Sequence, residues 1–146
     1  MRERDLAALE FDKVLLLLAN NTVSSAGREA CLEIRPRTVA DEVSAETVET
    51  ISERTWQFFR LLEEHRSLPL REFPDIRPAL QWAAQVGAAL EGLRLLEVLE
   101  VIVLSRILSA FLRRHAAGYE HLTELPMRLL TFPELEDTLH RCLDER

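Results

Sequence analysis

An all-α fold is what this sequence predicts, an elongated bundle of about six or seven helices organised around two long ones at about 38–65 and 90–115. Two observations predict it. Apolar residues recur at three- and four-residue spacing along most of the chain, and the few chain breakers, 4 glycines and 6 prolines in 146 residues, fall between those runs. A chain that is 47% hydrophobic and 29% charged is long enough to hold a core without disulfides or metals, so one helical domain over 1–146 is expected.

The elements follow in order. Asp5 is placed to cap a first helix running to about Ala19, which the Asn20-Asn21-Thr22 cluster stops. A short helix follows Ser24 and ends near Ile34, because Pro36 disfavours helical geometry in the residue before it. Thr38 and Asp41 have the spacing of a capping box and open the helix to about His65. At about 100° per residue, Glu42, Glu46, Glu49 and Glu53 fall on one side of that helix, and Val48, Ile51, Thr55, Phe58 and Leu62 on the other. The second set is its expected buried stripe.

Leu68-Pro69-Leu70 and Phe73-Pro74 form the main interruption, an extended connector with room for a short β-like stretch. Asp75 then caps a helix with Pro78 in its first turn, and Gly87 supplies a left-handed stop. From about Leu90 to His115, Leu96, Val103 and Ile107 lie on one side and Val98, Val101, Leu108 and Leu112 on the other. A helix apolar nearly all round is a central one. Gly118 breaks the chain again. A helix around Glu120–Leu130 must then tolerate Pro126, and a last one runs from Pro133 to about Asp144.

Charge and motifs exclude several functions for this chain. The formal net charge is −7, all but one of the 18 basic side chains are arginine, and they form no stripe: acids exceed bases over both 41–66 and 119–146. Direct nucleic-acid binding is disfavoured, because affinity for phosphate backbones comes mainly from clustered Lys and Arg. Cys31 and Cys142 form no CxxC pair, which points to an intracellular, cytoplasmic setting with reduced thiols. The most apolar window, Leu93–Leu112, is interrupted by Arg94, Glu97, Glu100 and Arg106, so it is not a membrane span. Lys13 has no glycine before it, which removes a Walker A loop, and there is no dinucleotide fingerprint.

Candidate chemical residues are few, and each has an ordinary reading. His65, His115, His121 and His140 fall at helix ends or on polar faces without metal-site spacing, and read as solvated or capping groups. Glu136 and His140 are four apart and have the spacing of a surface pair. The adjacent acids Asp41-Glu42, Glu63-Glu64 and Glu136-Asp137 read as solvated faces rather than an acid–base pair in a cleft. Trp56 and Phe59 turn away from the stripe that contains Phe58, and packing on another helix of the chain is favoured over a partner surface. No catalytic, cofactor-binding or metal-ligating residue is assigned.

Several strings resemble the N-terminal region of the second bacterial MutS family, the MutS-two proteins. Leu9-Glu10-Phe11-Asp12-Lys13-Val14 is similar to its opening signature, followed by Ser24-Ser25-Ala26-Gly27-Arg28-Glu29, Leu32 and Pro36. Glu49-Thr50, Pro69-Leu70 and Asp75-Ile76-Arg77, with Leu80, Ala84, Gly87 and Leu90, continue the likeness, as do Pro133-Glu134-Leu135-Glu136 and Cys142-Leu143-Asp144. The resemblance implies a longer parent with a helical core, a helical clamp, a dimerising ATPase that uses ATP and magnesium, and usually a C-terminal nuclease domain. Such parents bind branched DNA, suppress recombination, or act on collided ribosomes. None of the family's catalytic or nucleotide-binding residues maps onto this chain.

The resemblance therefore implies a non-catalytic core or lever segment. Its partners would be the remainder of the parent and a second parent subunit, with DNA or the ribosome engaged through the parent. The alternative expectation is a free-standing helical interaction module that dimerises through the 38–65 stripe or through Trp56 and Phe59.

Overall fold

The computed structural model describes residues 9–34, 45–65 and 68–144, and every described element is helical. The α-helices are α1 (Phe11–Asn20), α2 (Ser25–Leu32), α3 (Ala45–His65), α4 (Arg77–Ala83), α5 (Gly92–His115), α6 (Leu125–Arg128) and α7 (Pro133–Asp144). Two single 3-10 turns, Ala116–Gly118 and Glu120–Leu122, link α5 to α6. The all-α expectation holds, and no strand occurs among the described residues, including 68–76, where the sequence left room for a β-like stretch.

Residues 1–51 and 52–146 form two compact units. In the first, α1 packs against α2. The chain reverses between them through side chains that satisfy the free carbonyls at the end of α1: Asn21 Nδ2 donates to Leu17 O and Thr22 Oγ1 to Ala19 O, each at 2.8 Å. Arg28 from α2 donates to Asn20 Oδ1 at 2.8 Å. Ser24 caps α2 as its sequence position predicts, its Oγ accepting from Gly27 N at 3.0 Å. A Cβ on Gly27 would lie 3.0 Å from that same oxygen, so glycine here keeps the cap close. The first helix does not run from Asp5 to Ala19. Glu10 has left-handed backbone (φ 50°), which breaks any run through it, and α1 starts at Phe11. Asp5, Pro36 and the Thr38–Asp41 capping box lie outside the described residues.

In the second unit, α5 is a spine with a separate core on each half. Towards its N-terminal end, Val98, Leu99 and Ile102 bury with Ala79 of α4 and Leu139 of α7, and Ile76, Leu90, Leu95, Val103 and Leu143 pack around them. Towards its C-terminal end, Leu112 and the following Ala116 bury with Leu61 of α3 and Leu122, surrounded by Phe58, Phe111, Tyr119, Leu125 and Leu129. The central place expected for 90–115 is confirmed, with one correction. Leu96 and Ile107 are exposed, and the buried set is Val98, Leu99, Ile102, Leu104, Ser109 and Leu112.

Between the two cores, α5 carries a polar seam against residues 126–136. Ser105 Oγ donates to Leu130 O at 2.7 Å, Ser109 Oγ donates to Pro126 O at 3.4 Å, and Arg113 Nε donates to Ser109 Oγ at 3.3 Å. Arg106 closes the seam with a bidentate pair to Glu136 of α7, Nε to Oε2 and Nη2 to Oε1 both at 2.9 Å. The seam satisfies backbone carbonyls at the two breaks that Pro126 and Pro133 impose, and a wholly apolar helix face could not do so.

Two boundaries differ from expectation. The helix expected to be capped by Asp75 has Ile76 at its N-cap, with Asp75 Oδ1 accepting from Arg77 N at 3.1 Å, and it ends at Ala83 rather than at Gly87. Gly87 instead closes the following turn with φ 81°, a left-handed position that favours glycine. The expected single helix around 120–130 is a 3-10 turn followed by the four-residue α6, with Pro126 at the start of α6, where its missing N–H costs nothing.

Candidate functional site: a joint between α3 and α5 beside an exposed aromatic pair

The buried side of α3 is shorter than the sequence stripe and rotated from it. Val48, Ile51 and Thr55 are exposed, and the residue with no exposure at all is Leu61, which the stripe omitted. Phe58, Leu61 and His65, at i, i+3 and i+7, form the face that meets the end of α5. Periodicity therefore found an apolar side. It could not report how far along the helix a neighbour extends.

Polar contacts fix the register of this joint. Gln57 Oε1 accepts from the backbone N–H of His121 at 2.9 Å, tying α3 to the second 3-10 turn across 64 positions of sequence. The Tyr119 phenol lies near Glu64 and is pushed above the ordinary value, first by burial and then by that carboxylate. At the helix ends, the His65 and His115 rings lie 4.0 Å apart between centroids, and Phe111 meets His65 edge-on at 5.9 Å. The histidine expectation is corrected here: both rings do sit at helix ends, but they are half-buried and packed against each other rather than solvated. His121 is half-buried and His140 is exposed.

On α3, Trp56 and Phe59 present a different surface. Their rings stack at 5.7 Å with 19° between planes, yet Trp56 is 57% and Phe59 48% exposed. Packing on another helix, the favoured reading of the sequence, is thus replaced by an exposed aromatic pair. Two large rings left in water at adjacent turns are the kind of surface that marks a contact.

The acidic pairs do not assemble an acid–base centre among the described residues. Asp41-Glu42 lies outside them. Glu63 and Glu64 are exposed, with Glu64 3.9 Å from Arg60 in an open i,i+4 pair. Glu136 corrects its expected solvated placement. Its side chain is only 10% exposed, and its partner is Arg106, thirty residues away, rather than His140. The hydrogen bonds from Arg106 hold the Glu136 carboxyl below its ordinary value against the opposing effect of burial. Stability from this pair is therefore fully present above the unfolded carboxylate value near about 4.3 and is lost as pH falls through the lower folded value. Glu136→Gln should flatten that acid limb in thermal melts across the pH range. A limb as steep as in the parent sequence would show that the pair contributes nothing.

A groove of about 450 Å³ is lined by Asp75, Pro78, Trp82, Leu90, Glu91 and Arg94. Asp75 is engaged with Arg77 and Arg94 with Glu97 at 2.7 Å, and Trp82 Nε1 donates to Ala89 O at 3.1 Å. Among the described residues no cluster of three His, Cys, Asp or Glu side chains has metal-binding placement, and Cys31 and Cys142 are free thiols. No helix described is long and apolar enough to cross a membrane.

Relatives match this chain along essentially its whole length. It is 36% identical over 146 residues to endonuclease MutS2 of Aquifex aeolicus, covering 100% of this chain and 18% of that protein. Endonuclease MutS2 of Symbiobacterium thermophilum is 36% identical over 145 residues, 99% of this chain and 17% of that protein. Endonuclease MutS2 of a Geobacillus species is 30% identical over 148 residues, 99% of this chain and 18% of that protein. No protein-family model matches the chain, and no solved structure does. The chain thus spans less than a fifth of the length of these relatives.

Proposed function

In sequence the chain is MutS2-like from end to end, and on that premise we propose that it serves as a non-catalytic core or lever segment of a longer MutS2-like protein. The parent would be a cytoplasmic DNA-binding ATPase and endonuclease that uses ATP and magnesium. It would act in recombination suppression, DNA repair or ribosome rescue, with DNA or the ribosome engaged by the parent rather than by this acidic stretch. The single observation that carries the reading is the match of the whole chain to a small share of MutS2 endonucleases. Its architecture supports a mechanical part. Relay needs packed elements with discrete arrangements, and α5 is one rigid spine whose two ends hold separate cores, with α3 fastened at one of them.

The exposed Trp56–Phe59 pair favours one rival reading, a free-standing module that dimerises through that surface. Fragment complementation separates the two. A MutS2-like protein lacking this stretch is mixed with the isolated chain, and binding is followed by tryptophan fluorescence and light scattering. The segment reading expects a one-to-one complex, and it expects the isolated chain to cleave no branched DNA in magnesium. Concentration-dependent dimers of the isolated chain that Trp56→Ala abolishes, with no complex formed, would favour the rival.

A further inference from the structure

The packing of α3 on α5 sets two imidazoles against each other at the joint. His65 is the last residue of α3 and His115 the last of α5, and their rings tilt by 54° at 4.0 Å. Phe111, one turn before His115, lies 4.6 Å from its ring and caps the pair with an apolar edge. Helix C-termini favour one positive charge nearby, but two imidazolium rings in van der Waals contact repel strongly.

The surrounding charges do not relieve this. Arg114 adds positive potential at His115. Arg113 of the same turn is drawn to Ser109. On α3, the Glu64 carboxylate lies near Tyr119 and stands 3.9 Å from Arg60. Arg66 follows His65 in sequence, outside the described residues. The 3-10 turn after α5, Ala116–Gly118, contributes no charged side chain.

We propose that the His65–His115 pair is a proton-operated latch on the α3–α5 joint, closed while at most one ring is charged and released when the second takes a proton. The core at the other half of α5, which contains no histidine, stays shut. Burial, followed by His65 and Arg114, holds His115 below its ordinary value. A histidine with a lowered folded value favours the folded state most above its unfolded value near about 6.5, and that advantage drains away as pH falls through the folded value. The His115 effect sets in as pH falls below about 6.5, and that of Glu136 only below about 4.3.

Amide hydrogen exchange of the full 146-residue chain tests the latch, with rates at about pH 7 and about pH 5 each divided by the intrinsic rate at that pH. Exchange over Leu61–His65 should rise several-fold at the lower pH, while Val98–Ile102 stays unchanged. His115→Phe keeps ring packing without a titrating nitrogen and should remove the rise, and His65→Phe should do the same. Equal protection of Leu61–His65 at both pH values, or the same rise in both variants, would overturn the proposal. If a variant does not fold, the imidazole resonances of the unaltered chain decide. Two coupled steps, with His115 titrating below its ordinary value, support the latch, and two independent ordinary titrations overturn it.

Discussion

Leu61→Ala is expected to lower the stability of the 52–146 unit by about 2–5 kcal/mol, the range for emptying a leucine site in a packed interior. Leu61 is 0% exposed and sits among Leu112, Ala116 and Leu122. Its neighbours cannot easily collapse into the space. Ala116 has no longer side chain to offer, and Leu122 is held in a 3-10 turn whose next-door backbone is bonded to Gln57. Urea denaturation checks this through a lower midpoint at unchanged slope. Val48→Ala on the same helix is the control. It lies on an exposed position and should change stability by no more than about 0.5 kcal/mol. If Val48 cost as much as Leu61, the longer stripe read from sequence would be the buried one after all.

Leu122→Ala should cost a similar amount, about 2–5 kcal/mol, for a different structural reason. Leu122 belongs to a three-residue 3-10 turn with little hydrogen bonding of its own, so its burial at 0% exposure is what seats the turn and presents the His121 N–H to Gln57. Because Leu61 and Leu122 share one core, the double variant should be less destabilised than the two losses summed, with a coupling on the order of 0.5–3 kcal/mol. Strict additivity in a double-mutant cycle would show that the two side chains do not form one unit.

Much of the helical layout was legible because punctuation is local. Ser24 and Pro133 act where their chemistry places them, and the long helices end at His65 and His115 as expected. What failed was everything that depends on a distant neighbour. The stripe through Val48, Ile51 and Thr55 has the right period, but residues over 58–65 are the ones that meet α5. Leu96 and Ile107 are as apolar as Leu99 and Ile102, and only packing distinguishes them. The left-handed Glu10 carried no residue signal, since the handedness of a backbone at a glutamate is set by its surroundings.

The candidate site was less legible than the fold. Arg106 and Glu136 stand thirty residues apart, and each has nearer charges of opposite sign, so nothing in the spacing singles out the pair that forms. His65 and His115 are both helix-terminal, a signal visible in sequence, yet their contact follows from the packing of α3 against the end of α5. Trp56 and Phe59 at i,i+3 were correctly seen as facing away from Phe58. A surface for a partner and a face packed internally look alike in residue pattern, and exposure alone separates them.

On the proposed function this segment transmits rather than catalyses, and if the longer parent proposed above hydrolyses ATP, its steady-state hydrolysis with and without branched DNA tests that most directly. With Leu61→Ala loosening the joint, basal hydrolysis should be retained while stimulation by DNA falls by about tenfold, within the range typical of coupling between sites. Stimulation left intact in a protein whose joint is demonstrably loosened, or basal hydrolysis lost together with it, would contradict the account.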